Sequence, residues 1–183
     1  MLIRVQIGVK APLKDRLGRA LVGQIADLGI TTIRAVHTAQ LYFIQADWTE
    51  AQVERCCREL LIDPLVQEHS YWVGESSMPR PEMALADDAH VVEVIFKRGV
   101  TDNLADDALA GLRTLGLADE VQVRTGQRFT LFGPLTVEEL QTITPRVLCN
   151  PLIQTYAFGP IAPSFTPSAP TARPWTKRIP LRD

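Results

Sequence analysis

The chain has 183 residues, 46% of them hydrophobic and 22% charged, with 19 basic against 21 acidic side chains and a net charge of −2. That balance is ordinary for a soluble globular chain and offers no basic footprint for nucleic acid. No apolar run is long enough to span a bilayer, Met1–Lys10 alternates as no signal peptide does, and three cysteines with Cys56 and Cys57 adjacent suit reduced thiols in a cytoplasm.

The first predicted element is a strand over Leu2–Lys10, with Ile3, Val5, Ile7 and Val9 on one side. Asp15 is placed to cap a helix that runs to Leu28 on Leu17, Leu21, Ile25 and Leu28, and Gly29 follows at a left-handed cap. Strands over Ile33–His37 and Leu41–Ala46 are expected to form a hairpin around a turn at Thr38–Gln40. Thr49 with Gln52 makes a capping box for a helix to about Leu61, stopped by Asp63–Pro64, and a last strand covers Val66–Val73. The same steps then recur: strand His90–Lys97, helix from Asp102 to Gly116, hairpin Glu120–Arg124 and Arg128–Phe132 with Gly126 in its turn, capping box Thr136–Glu139, a helix that Pro145 should kink or shorten, and strand Leu152–Phe158.

The recurrence is literal. Residues 2–72 fall on residues 89–159 at a constant offset of 87, with 14 of the 71 pairs identical, where composition alone gives roughly one match in fifteen. The chain therefore reads as one small unit written twice: a first unit over 1–73, a linker over 74–88, a second unit over 89–159 and a proline-rich tail over 160–183. Each unit reads β-α-β-β-α-β, so the fold class expected is α+β, two tandem ferredoxin-like units forming a pseudo-dimer. A unit of about 70 residues buries a marginal core by itself, so each half should depend on the other. Sheets stacked face to face and sheets joined at an edge both meet that need. The tail should be extended or disordered, with Trp175, Ile179 and Leu181 hinting at a short docking segment.

No catalytic constellation is visible. Phosphate-binding glycine loops, a nucleophile elbow and H-E-x-x-H are all absent, and His37, His69 and His90 have no partner at metal-ligand spacing. Cys56, Cys57 and Cys149 align with Ile143, Thr144 and Ile62, which points to core packing. Among the identical pairs, Asp15/Asp102 and Thr49/Thr136 are explained by helix capping. Three polar pairs are not: Lys10/Lys97, Thr38/Thr125 and Gln40/Gln127. With Arg124, the basic counterpart of His37, they are the candidate partner-facing residues. A solvated strand end and a turn hydrogen bond would also account for them.

Four segments of the first unit carry a family resemblance: Val5-Gln-Ile-Gly-Val-Lys10, Leu13-Lys-Asp-Arg-Leu-Gly-Arg-Ala20, Val36-His-Thr-Ala-Gln40 and Asp63-Pro-Leu-Val-Gln67. They are similar to the strand ending in Lys, the V-x-D-P-x-G-x-A stretch, the V-R-x-G-K turn and the N-P-V-I-E close of PurS, the small subunit of phosphoribosylformylglycinamidine synthase. Val123-Arg-Thr-Gly-Gln127 and Asn150-Pro-Leu-Ile-Gln154 fit the last two more closely. The departures are Ala105 and Asp107 in the second motif, His37 and Ala39 in the third, and Gln40 and Gln127 where the family has lysine.

The resemblance implies a non-catalytic subunit that binds no cofactor itself. It would bridge a synthetase (PurL-like) and a glutaminase (PurQ-like), which use ATP, Mg and glutamine to convert formylglycinamide ribonucleotide to its amidine in purine biosynthesis. A tandem copy resembles a fused PurS dimer, free-standing or at the front of a longer synthetase. The alternative that remains open is a regulatory module binding a small molecule, such as an amino acid, at the interface between the repeats. The glycine-rich turn expected of such a module is not found at Ala11–Leu13 or Arg98–Val100.

Overall fold

The computed structural model describes residues 1–74 and 88–165. Nearly all of the expected linker lies outside the described residues, as do Trp175, Ile179 and Leu181 of the tail. The elements are β1 (Leu2–Val9), α1 (Arg16–Ala26), β2 (Ala35–Gln45), α2 (Glu50–Cys56), β3 (Gln67–Val73), β4 (Ala89–Phe96), α3 (Asn103–Thr114), β5 (Gln122–Phe132), α4 (Val137–Ile143) and β6 (Gln154–Phe158). The fold is α+β, with one six-stranded antiparallel sheet in the order β3-β1-β2-β5-β4-β6.

The helix ends follow the local chemistry. Asp15 accepts from the Gly18 N–H and Asp102 from that of Ala105. Thr49–Gln52 and Thr136–Glu139 close as complete capping boxes. Gly29 and Gly116 take φ of 84° and 68° just past α1 and α3, a region open to glycine without the Cβ penalty. α2 and α4 each finish in a π-helical turn, Cys57–Leu61 and Thr144–Leu148. Pro145 is the second residue of the second turn, but the first forms without a proline, so proline is not what sets the π geometry.

The two expected hairpins do not form, and this corrects the β-α-β-β-α-β reading. β2 runs unbroken through Thr38–Gln40, and β5 runs unbroken through Gly126. Each half therefore has three strands, not four. The alternation never lapses: Val36, Thr38, Gln40, Tyr42 and Ile44 share one face, so the polar residues are a polar interval within one long strand. Gly126 is needed for close approach, since a Cβ there would lie 2.7 Å from the Val94 carbonyl oxygen and 2.8 Å from Ile95 Cγ2.

The halves join edge to edge along β2 and β5, from Ala35↔Phe132 to Gln45↔Gln122. The centre of that ladder is Gln40↔Gln127, the pair that the 87-residue sequence offset also aligns. The helices cover one face, and they cross the seam. One buried cluster combines Ile3, Val5, Ile7, Tyr42, Ile44, Val53 and Cys56 with Ala108, Leu112, Leu117 and Val121 from the second half. The other combines Leu21, Ile25, Ile33 and Val36 with Val92, Val94, Phe129, Leu131, Ile143 and Leu148. Both cores are thus built from both halves, and α1 and α3 each close the core of the other half's strands. Cys56, Cys57 and Cys149 are free thiols inside these cores.

The second face of the sheet carries a smaller apolar group, Leu41, Phe43 and Ile95, with Ile161 and Phe165 packed on it. Residues 160–165, where the proline-rich tail opens, form no helix or strand and contribute packed side chains.

Candidate functional site

Asp15 and Asp102 do more than cap. Asp15 Oδ2 accepts from the Thr38 backbone N–H at 2.6 Å and from its hydroxyl at 2.8 Å. Asp102 holds Thr125 likewise, with Oδ2 accepting from the backbone N–H at 2.7 Å and Oδ1 from the hydroxyl at 2.8 Å. Each aspartate ties a helix start to the centre of a seam strand, so Thr38 and Thr125 each have an internal partner. Gln40 Nε2 donates across the seam to the Gly126 carbonyl at 2.8 Å and to the Leu41 carbonyl at 3.2 Å. Gln127 is exposed. Two open clefts flank this centre. The first is lined by Ile7, Val9, Leu17, Thr38, Gln40 and Gln67, and the second by their counterparts Val94, Phe96, Leu104, Thr125, Gln127 and Gln154.

The other candidates lie apart from this seam. Lys97 Nζ donates to the Pro151 carbonyl at 2.5 Å, and the Lys10 and Lys97 backbone N–H groups donate to Val66 and Ile153. Both lysines therefore sit where the first strand of each half meets the turn before its last strand. Arg124 lies on the second face, opposite Phe43. Thr38, Thr125, Gln40 and Gln127 are brought together; Lys10, Lys97 and Arg124 are not.

The second face holds charges that the sequence reading passed over. Arg4 is 1% exposed and Glu93 is fully buried. The Arg4 guanidinium lies 5.4 Å from the Phe43 ring centroid and reaches Glu93, three strands away, with NH1 donating to Oε2 at 3.0 Å. Arg128 NH1 donates to Glu93 Oε1 at 3.3 Å, and the Ile161 N–H donates to Oε2 at 2.8 Å. Glu93 thus links Arg4 of the first half, Arg128 of the second and the segment after β6. Burial lowers the Arg128 pKa, Glu93 opposes that shift and Arg4 adds to it. The sequence did carry a signal for this. Glu93 lies between Val91 and Ile95 on one strand face, an apolar setting in which a charge is buried with partners.

Burial pushes the Cys56 and Cys57 thiols up to about 12, which leaves them unreactive at neutral pH. Among the described residues, no three His, Cys, Asp or Glu side chains gather to hold a metal ion. No helix there is long and apolar enough to cross a membrane.

The PurS family model, described as phosphoribosylformylglycinamidine (FGAM) synthase, matches residues 2–75, the stretch that contains β1 to β3. No curated protein matches the chain.

Proposed function

With residues 2–75 matched to PurS, a family linked to FGAM synthase of purine biosynthesis, we propose that this chain is a non-catalytic component of that synthase. It bridges the synthetase that makes the amidine and the glutaminase that supplies ammonia, and ATP, Mg and glutamine are handled by those partners. The family match is the observation that carries this reading. The fold supports it, because the second half repeats the element order of the matched half and shares both cores with it. The chain then acts as a fused pseudo-dimer, presenting paired surfaces at a concentration that dilution cannot lower. A scaffold with interlocked cores holds two enzymes in fixed register, as ammonia transfer between active sites requires.

Thr38, Thr125 and Gln40 have internal partners, so their share in bridging is to fix the seam. Lys10, Gln127 and Arg124 are the side chains of this set offered to a partner; Lys97 is exposed but already holds the Pro151 carbonyl through its Nζ. The test is sedimentation of the chain mixed with a matching synthetase and glutaminase. The three should sediment together with the chain present, and the two enzymes separately without it. Sedimentation of the two enzymes as one species in its absence refutes the bridging role.

A further inference from the structure

A row of facing residues crosses the second face of the sheet. Glu68 pairs with Gly8, Gly8 with Ala39, Ala39 with Arg128 and Arg128 with Glu93. Opposed residues in antiparallel strands share a face. Between Glu68 and Arg128 the floor therefore carries no side chain larger than a methyl group. The result is a trough between two opposite charges, whose backbones lie three strands or about 14 Å apart at ordinary strand spacing. It forms part of an open cleft of about 440 Å³, lined also by Gln6, His37, Thr130 and Phe132. That volume falls within the range of small-molecule sites.

The trough is a built site, and its charge is uncompensated. Arg128 is 8% exposed and spends one amino group on Glu93. Its Nε and second amino group meet no acceptor among the described residues, and neither is sealed from solvent. The cluster beneath holds two arginines against one glutamate, so it buries an excess positive charge. The enclosed Oε1 of Gln6, on the adjoining wall, has no partner. Glu68 at the far end is exposed. The remaining acid of the cleft, Asp15, is committed to Gly18 and Thr38. His37 packs edge-on against Phe132 at 4.9 Å and closes one side.

A ligand suited to this trough carries an anion at one end and a cation at the other. We infer that it binds a free α-amino acid, with the carboxylate on Arg128 and the Thr130 hydroxyl and the ammonium toward Glu68. A bidentate arginine–carboxylate contact would supply the counter-charge that the buried cluster lacks. The site draws on both halves of the chain, and the inference stands whether or not the chain bridges two enzymes.

The test is calorimetric titration of the full chain with glycine, glutamine and glutamate, and separately with inorganic phosphate. Two variants leave the buried cluster intact. Glu68→Gln removes the ammonium partner at an exposed position. Gly8→Val fills the trough floor, where an added Cβ meets nothing within 4 Å. At least one amino acid should bind, and each variant should weaken it by about tenfold or more, with thermal unfolding unchanged. Three results would overturn the inference: no amino acid bound at about 10 mM, binding indifferent to both variants, or phosphate binding as tightly as the best amino acid.

Discussion

Leu112 belongs to α3, in the second half, yet at 1% exposure it lies in the buried cluster that contains Ile3, Val5, Ile7, Tyr42 and Val53 of the first half. Leu112→Ala removes roughly three buried carbons at about 0.8 kcal/mol each, or about 2.5 kcal/mol of transfer free energy. The cavity left in a cluster that cannot fully collapse raises the cost to about 3–4 kcal/mol. Urea denaturation measures that loss, and hydrogen exchange locates it. Because the side chain closes the core of the first half, amide protection should fall in β1 and β3 as well as in α3. Leu65→Ala, at a position 82% exposed, serves as the control and should change stability by under about 0.5 kcal/mol. A Leu112→Ala loss below about 1 kcal/mol, or lost protection confined to residues 89–158, would refute the shared core.

Other perturbations test other parts of the account. Glu93→Leu leaves Arg4 and Arg128 buried without a counter-charge and should cost about 3–5 kcal/mol by urea unfolding. Asp15→Ala removes the α1 cap and both Thr38 bonds, and should cost about 1–3 kcal/mol in the same assay. Gly18→Ala would place a Cβ 1.9 Å from the Val36 carbonyl oxygen, so α1 must shift and stability should fall by about 1–3 kcal/mol. Cys56 and Cys57 have folded values raised from 9.0 to about 12, so the folded state holds those protons longer than the unfolded chain. Their stabilising contribution is present below pH 9 and lost as pH rises from 9 to about 12. The urea midpoint should decline across that window, and a thiol reagent at pH 8 should label these cysteines only on unfolding.

The helices and their caps were legible in the sequence because their signals are local. Asp15, Asp102 and the two capping boxes lie within one turn of the groups they satisfy. The strands were harder where polarity interrupts them. Thr38–Gln40 has turn-like composition, and so does Thr125–Gln127 with its glycine. Their partners, Asp15, Asp102 and the facing seam strand, lie 23 or more residues away, and no local pattern reveals them. The same distance hid the second face. Arg4 meets Glu93 across 89 residues of sequence, and the trough exists only because Gly8 and Ala39 fall into one row of the assembled sheet. The 87-residue offset was the exception, a long-range fact visible without coordinates, and it coincides with the centre of the seam.

The most direct test of the central proposal compares two nitrogen sources. A matching synthetase and glutaminase are assayed for amidine formation from glutamine and, separately, from an ammonium salt, with and without this chain. A bridging component should raise the glutamine-driven rate and leave the ammonium-driven rate unchanged, since only the first needs ammonia carried between enzymes. Equal effects on both rates, or no effect on either, would contradict the proposal.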